Sequence, residues 1–315
     1  MTSWLITGGA GSFGRAFTRH LLADPTTSRV VILSRDEAKH AAMRAELNDE
    51  RLRFFVGTVC DSGRLEIAMR GVDNVVHAAA MKRVETCEDN PHEAVMINII
   101  GTSTVARACM HAGVKRAVFL STDKAAAPNT HYGATKLAAE RLWCRWNVYA
   151  AGQDTRYSAT RYGNVLGSRG SVLPTWEQQA KAGGPITVTD PTMSRFWMTM
   201  DQAVELVALA FREMCGGEVF VPRVSGCTMA EFAAELFPGV PTESVGIRPG
   251  EKMHETLIGD DEVRQTFDHG THYTIEPHRT WEDAMPARGI KVGPKFTYRS
   301  DTRRMLPGDL VEMVR

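Results

Sequence analysis

Short apolar runs and amphipathic stretches alternate through the first half of the chain. Trp4–Thr7, Val30–Leu33, Arg53–Val56, Asn74–His77, Ala117–Ser121 and Ser158–Arg161 are apolar or β-branched and have the length of strands. Between them, Phe13–Ala23, Ala38–Asn48, Ser62–Met69, Pro91–Ala112 and Tyr132–Tyr149 carry apolar residues at helical spacing. This alternation predicts βαβ units and a parallel sheet. Right-handed crossovers would wind it into an open, doubly wound α/β sheet of Rossmann type, with a crevice at the strand carboxyl ends. After Arg161 the texture changes. Gly163, Gly167, Pro174, Gly183, Gly184, Pro185 and Pro191 crowd the chain, and one strong helix follows, Met200–Cys215, with Asp201 near its start. The tail from Pro222 mixes short helices and loops, which predicts a smaller, irregular C-terminal substrate lobe.

Composition narrows the class without changing the fold. The chain has 315 residues, 43% apolar and 23% charged, enough apolar content for a packed core. Lys plus Arg and Asp plus Glu are both 37, so no net charge draws the protein to nucleic acid or an anionic membrane. No stretch approaches the roughly 18–20 apolar residues of a membrane span. Ala94–Ile100 and Ala203–Phe211 are short, and Glu205 interrupts the second. The start of the chain lacks the basic and apolar regions of a signal peptide. The six cysteines have no CxxC spacing, which argues against a zinc ribbon or redox motif. His254-Glu255 lacks the second histidine of HExxH, and His269 and His272 have no further ligand pattern. The expectation is a cytoplasmic protein with reduced thiols and no metal site.

The first predicted strand ends in Thr7-Gly8-Gly9-Ala10-Gly11-Ser12-Phe13-Gly14. Gly8 permits the tight turn, Gly11 lets backbone approach a pyrophosphate, and Gly14 lets helix and strand pack closely. The helix start, with Ser12 and Phe13, then offers backbone N–H groups and a positive dipole end to the phosphates. A glycine-rich turn alone is weak evidence; after a first strand and before a helix it has the context a dinucleotide site requires. At the tip of the second strand, an NAD site usually carries an acid for the ribose 2′-hydroxyl. Here Ser34 and Arg35 stand there, with Lys39 a turn later, and these groups suit the 2′-phosphate of NADP. The other reading is that Asp36 or Glu37 folds back to serve NAD.

Tyr132-Gly133-Ala134-Thr135-Lys136 opens a predicted helix shortly after Thr122-Asp123-Lys124 closes a strand. Tyr132 and Lys136, at i and i+4, share a helical face. An ammonium near a phenol lowers the phenol pKa from about 10 and makes tyrosinate a plausible base.

Together these motifs resemble the extended short-chain dehydrogenase/reductase family, and most closely its branch of UDP-N-acetylglucosamine 4,6-dehydratases that invert carbon 5. The marks are Thr7–Gly14, Ser34–Glu37, His77–Ala80, Ser121–Ala125, Tyr132–Lys136, Arg161–Val165, Arg195–Trp197 and Arg248–Lys252. The resemblance implies that Tyr132 takes the proton of the sugar 4-hydroxyl, with Thr122 beside it, while Lys136 holds the nicotinamide ribose. Lys124 would then remove the carbon 5 proton and a protonated Asp123 would serve the departing 6-hydroxyl. That assignment requires an Asp123 pKa raised, and a Lys124 pKa lowered, by burial. It places Ala78, Ala79 and Asp61 at the cofactor. Lys82, Asn164, Arg195, Arg248 and Glu251 would lie along a UDP-sugar, with Trp197 packing and Asn98 bending its helix near the site. Residues 1–166, with 193–221 returning to them, would form the NADP-binding domain, and 167–192 with 222–315 the nucleotide-sugar lobe. Relatives of this kind form homo-oligomers.

The chain departs from that pattern at Thr58, where relatives carry Asp, and at Glu85, where they carry Pro. The tail after Asp261 matches poorly. Two other functions stay open at this level: a nucleotide-sugar 4-epimerase, which needs Tyr132 and Lys136 but neither Asp123 nor Lys124, and a non-catalytic NADP-binding scaffold.

Overall fold

The structure, a computed structural model, describes residues 1–168, 171–277 and 288–314. The first half runs β1 (Thr2–Thr7), α1 (Ser12–Ala23), β2 (Thr27–Ser34), α2 (Glu37–Leu47), β3 (Leu52–Val56), α3 (Ser62–Ala68) and β4 (Asn74–His77). There follow α4 (Val84–Asp89), α5 (Pro91–Val95), a π-helical turn (Met96–Ile100), α6 (Gly101–His111) and β5 (Arg116–Leu120). A 3-10 turn (Asp123–Ala125), α7 (His131–Tyr149) and β6 (Arg156–Thr160) complete it. The second half holds β7 (Asn164–Val165), α8 (Val172–Lys181), β8 (Ile186–Val188), β9 (Ser194–Met198), α9 (Met200–Glu213) and β10 (Val219–Pro222). Then come β11 (Gly226–Thr228), α10 (Met229–Leu236), β12 (Thr242–Ser244), β13 (Thr256–Ile258) and a 3-10 turn (Asp260–Gln265). The chain continues with β14 (Thr266–Asp268), β15 (His272–Ile275), β16 (Ile290–Lys291), β17 (Tyr298–Arg299) and α11 (Asp309–Val314).

Each expected strand of the first half is present, and so is each expected helix except that over Pro91–Ala112, which is interrupted. Among the described residues the central sheet runs β16-β14-β15-β10-β6-β5-β4-β1-β2-β3, parallel from β10 to β3. Val30–Leu33 is buried throughout, as a strand covered on both faces requires. Alternate residues feed two cores. Leu5, Val31, Val75 and Phe119 face one side. Ile6, Val30, Ile32, Val76 and Val118 face the other, against Phe17 of α1 and Val207 of α9. A third core, with Trp176, Ile186, Trp197 and Phe232, lies in the lobe. Trp197 stacks on Phe232 with centroids 4.2 Å apart, so it packs as expected.

Two stretches differ from the sequence reading. The single helix over Pro91–Ala112 is broken by the π-helical turn at Met96–Ile100. Buried Asn98 sits in it, accepting the Met81 N–H at 2.8 Å and donating to the Met81 carbonyl at 3.1 Å and to Thr135 Oγ1 at 3.1 Å. A single inserted residue turns this amide toward the loop after β4, a common use of such bulges. The tail is not wholly lobe: β14, β15 and β16 extend the central sheet, with β15 antiparallel to β10. Strands of two to four residues are too short for a period to show, so the sequence there reads as loop. β9 pairs with β7 and β11 rather than with the central sheet. No helix among the described residues is long and apolar enough to cross a membrane.

Candidate active site

The order of the sheet reverses between β1 and β4, so the loops after these strands part and leave a crevice at their carboxyl ends. A cleft of about 1260 Å³ fills it and continues toward the lobe. Gly8 sits at φ +66°, and a Cβ there would lie 2.9 Å from the backbone of Ala79. The glycine loop is thus laid directly against the loop after β4. A Cβ on Gly14 would fall 2.3 Å from the Gly9 carbonyl, so no larger residue fits beneath the turn. No side chain caps α1 at Gly11, and the start of that helix meets the cleft with its backbone. Gly8, Gly11, Ser12, Phe13, Gly14, Ala78 and Ala79 all line the cleft, a backbone cradle whose shape fits a dinucleotide pyrophosphate.

At the tip of β2, Ser34 Oγ lies 2.7 Å from His40 Nε2. Asp36 accepts the Lys39 N–H at 3.0 Å as the cap of α2 and also pairs with the Lys39 ammonium. Those hydrogen bonds from Lys39 hold its carboxyl below the usual carboxylate range. Exposed Arg35 lines the cleft beside them. Asp61 is placed otherwise than the resemblance implied. It is exposed and caps α3 by accepting the Arg64 N–H at 2.9 Å, while Gly57, Thr58 and Val59 line the cleft there. Its side chain does at Asp61 what Asp does best at a helix start.

The other end of the cleft is built by one close approach. Thr130 caps α7, and a Cβ on Gly133 would stand 2.4 Å from the Lys124 carbonyl, so glycine lets the start of α7 rest on the Asp123–Ala125 turn. Tyr132 is thereby brought beside Thr122 and Lys124, all three lining the cleft with Lys136. Asp123 lies just beneath, 1% exposed. Its Oδ1 accepts from Thr122 Oγ1 at 3.0 Å and Lys124 Nζ at 3.1 Å, and its Oδ2 has no hydrogen-bond partner among the described residues. Burial pushes the Asp123 carboxyl up, against the pull of Lys124.

Three expectations about charge are corrected. Burial alone would lower Lys124, but Asp123 and Glu255 outweigh it and hold its ammonium above the usual lysine value. Glu255 Oε1 lies 3.2 Å from Lys124 Nζ. Tyr132 is raised to about 12 by burial, opposed by Lys124, so this pocket stabilises the neutral phenol. The lysine that acts on it through space is Lys124 rather than Lys136. Lys136 is itself lowered to about 7 by burial, opposed by Glu140. Its Nζ donates to the Leu120 carbonyl at 2.7 Å and sits 3.9 Å from the centre of the Phe119 ring.

Lys82, Asn164, Arg195, Arg248 and Glu251 line the same cleft. Arg248 pairs with Glu85 at 3.1 Å across its mouth. Arg195 is largely committed to the chain: Nη1 donates to the carbonyls of Ser194 at 2.8 Å and Lys252 at 3.0 Å. Sequence reasoning missed Glu255 and Lys252, having weighed His254-Glu255 only as a metal motif. The available signal was a carboxylate three residues after Lys252 in a segment already read as substrate-binding. Among the described residues no group of three or more potential ligands could hold a metal ion.

Comparison with known proteins extends these observations. Residues 4–277 match the family described as polysaccharide biosynthesis protein. Over 306 residues the chain is 42% identical to a UDP-N-acetylglucosamine 4,6-dehydratase (inverting) of Campylobacter jejuni, covering 94% of this chain and 92% of that one. A UDP-glucose 4-epimerase of Rickettsia bellii is 39% identical over 282 residues, 86% and 82% of the two chains. The structure of Pen from Bacillus thuringiensis superposes with a TM-score of 0.90 at 35% identity, covering 99% and 98%. The match across the glycine loop, the Tyr132–Lys136 helix and the lobe places this chain in the polysaccharide biosynthesis protein family, within the extended short-chain dehydrogenases/reductases.

Proposed function

We propose that this protein is a hydro-lyase, a UDP-N-acetylglucosamine 4,6-dehydratase that inverts carbon 5 and works with NADP. The observation that carries the reading is the pair of buried Asp123 and cleft-facing Lys124 set against Tyr132 and Thr122 on one wall of the cleft. An epimerase has no use for such a couple, because it breaks no carbon–oxygen bond.

The glycine cradle would hold the pyrophosphate and Lys136 the ribose. When bound, the nicotinamide takes hydride from carbon 4 and returns it to carbon 6. Tyr132, from its tyrosinate fraction, receives the proton of the 4-hydroxyl, and Lys124, 28% exposed at the side chain, faces the sugar from the same wall. The ketone acidifies carbon 5. Lys124 then removes that proton, acting from the fraction that has shed its own, and Asp123 gives a proton to the departing 6-hydroxyl. Two protons leave the sugar, to Tyr132 and Lys124; Asp123 gives one to the water formed and solvent gives one to carbon 5 on the opposite face, and the three side chains reset by exchange with solvent, so the step balances. Asn164 and Arg248 are the side chains we assign to the UDP diphosphate, with Lys82 and Glu251 along the sugar. The free cysteines and the family resemblance support a homo-oligomer in a reducing cytoplasm.

Incubation with UDP-N-acetylglucosamine in deuterated water tests the reading. Loss of water with deuterium at carbon 5 is the expected result. A product of unchanged mass would transfer the protein to the epimerases, and tight NADP binding without turnover to the scaffolds. The cofactor is tested separately. Asp36 is occupied as a helix cap, which supports Arg35 as the group that meets a 2′-phosphate. Arg35→Ala is expected to weaken NADP by roughly tenfold to a hundredfold, the range of a charge-assisted hydrogen bond, and to leave NAD unchanged in a fluorescence titration. Equal weakening of both would return the choice to NAD.

A further inference from the structure

Lys124 has two carboxylate partners, and only one belongs to its own turn. Glu255 stands just before β13, brought in from the far end of the sequence. Its backbone is held on both sides by Ser300: the Glu255 N–H donates to Ser300 Oγ at 2.9 Å and the Ser300 N–H to the Glu255 carbonyl at 2.9 Å. The side chain is 3% exposed, borders the cleft, and leaves Oε2 without a hydrogen bond among the described residues. A buried carboxylate in that state is costly unless charge compensates it. Here compensation comes from three elements. Lys124 lies at 3.2 Å, Arg195 Nε of β9 at 3.9 Å and Lys252 Nζ at 4.0 Å. Asp123 and the Tyr132 phenol complete the titratable groups around Lys124, and His254 turns away to Ser194 Oγ at 2.8 Å.

We propose that Glu255 is a positioning residue of the elimination step: its carboxylate anchors Lys124 at the cleft wall and sets the pH range in which the Asp123–Lys124 couple works. The inference rests on the dehydratase reading above. Its physical content is a charge count. The carboxylate of Glu255 favours protons on both members of the couple, so removing it makes each give up its proton at lower pH. The directions agree. The negative charge of Glu255 helps to raise both Asp123, after burial, and Lys124, after Asp123. Glu255 itself stays below its usual value, because Lys124, Arg195 and Lys252 outweigh its burial.

The test compares pH profiles of water loss for the wild type and Glu255→Gln, with NADP affinity and thermal melting as controls of the fold. Both limbs of the profile are expected to move to lower pH by about one unit or more, with KM for the sugar little changed, since one unit is a tenfold change in protonation. Glu255→Asp is expected to keep the wild-type position at a reduced rate. Lys252→Met, which removes a cation instead, is expected to shift the profile the other way, and it serves if Glu255→Gln does not fold. A Glu255→Gln profile lying over that of the wild type, or a Lys252→Met shift to lower pH, overturns the proposal. A wild type that releases no water overturns the dehydratase reading instead, so the two failures are distinct.

Discussion

Asp123→Asn is expected to slow the release of water by about 10²–10⁴-fold, the usual worth of a positioned general acid, while the sugar is still oxidised at carbon 4. The substitution is nearly isosteric and occupies a site 1% exposed, so packing is preserved. What changes is the proton. The carboxyl oxygen Oδ2, without a hydrogen-bond partner among the described residues, is the atom from which a proton can leave, and burial raises the carboxyl's affinity for it against the pull of Lys124. An amide has no such proton to give to a departing hydroxyl. In the proposed mechanism oxidation uses Tyr132 and Lys136, whose side chains the change leaves in place. Rapid mixing with UDP-N-acetylglucosamine should therefore show nicotinamide reduction at a rate close to that of the wild type, followed by accumulation of reduced cofactor. Mass spectrometry of the quenched mixture should show a 4-keto sugar that retains its 6-hydroxyl. Water loss at the wild-type rate would remove Asp123 from the chemistry.

The parts of this site that were legible in sequence are those whose signal is local. The glycine loop announces itself because Gly8, Gly11 and Gly14 answer three separate steric demands within one turn of chain. Tyr132 and Lys136 are read from helical spacing alone. The charge states were not legible, because they depend on groups distant in sequence. Lys124 is followed by the contribution of Glu255 only after 131 residues, and nothing in a linear pattern says that the two side chains meet at 3.2 Å. Asp61 failed for the opposite reason. Its resemblance to a cofactor residue was local, but a helix begins immediately after it, and capping that helix claims the carboxylate. The π-helical turn at Asn98 is likewise invisible to a periodicity of 3.6, since one extra residue in a long helix barely disturbs the pattern.

Arg161→Met is expected to be the most destabilising single change, by about 3–5 kcal/mol, the usual cost of removing one partner from a buried ion pair. The Arg161 guanidinium is fully buried at the end of β6. It donates to Glu140 of α7 at 2.5 and 3.0 Å, to Glu262 of the Asp260–Gln265 turn at 2.6 and 2.8 Å, and to the Leu257 carbonyl at 3.0 Å. One side chain thus ties together the sheet, the helix that carries Tyr132 and the tail that carries Glu255. Methionine fills much of the space but leaves two carboxylates without their counter-charge; among the described residues Glu262 keeps a second cationic partner, Arg141 at 3.0 Å. Lysine at the same position keeps the charge without the bidentate geometry, so Arg161→Lys should fall between. The pH dependence separates this cause from a packing defect. Burial would raise Glu262, but Arg161 holds it below the usual range, so in the wild type its contribution is present above the unfolded value of about 4.3 and is lost as pH falls through the folded one. In the methionine variant the same carboxyl, poorly compensated, binds its proton more readily in the folded state, so stability is lost as pH rises instead. The gap between the two proteins in urea unfolding should therefore be full at neutral pH and close toward pH 4. A gap that stays constant over that range would mean that shape, and not charge, is what Arg161 supplies.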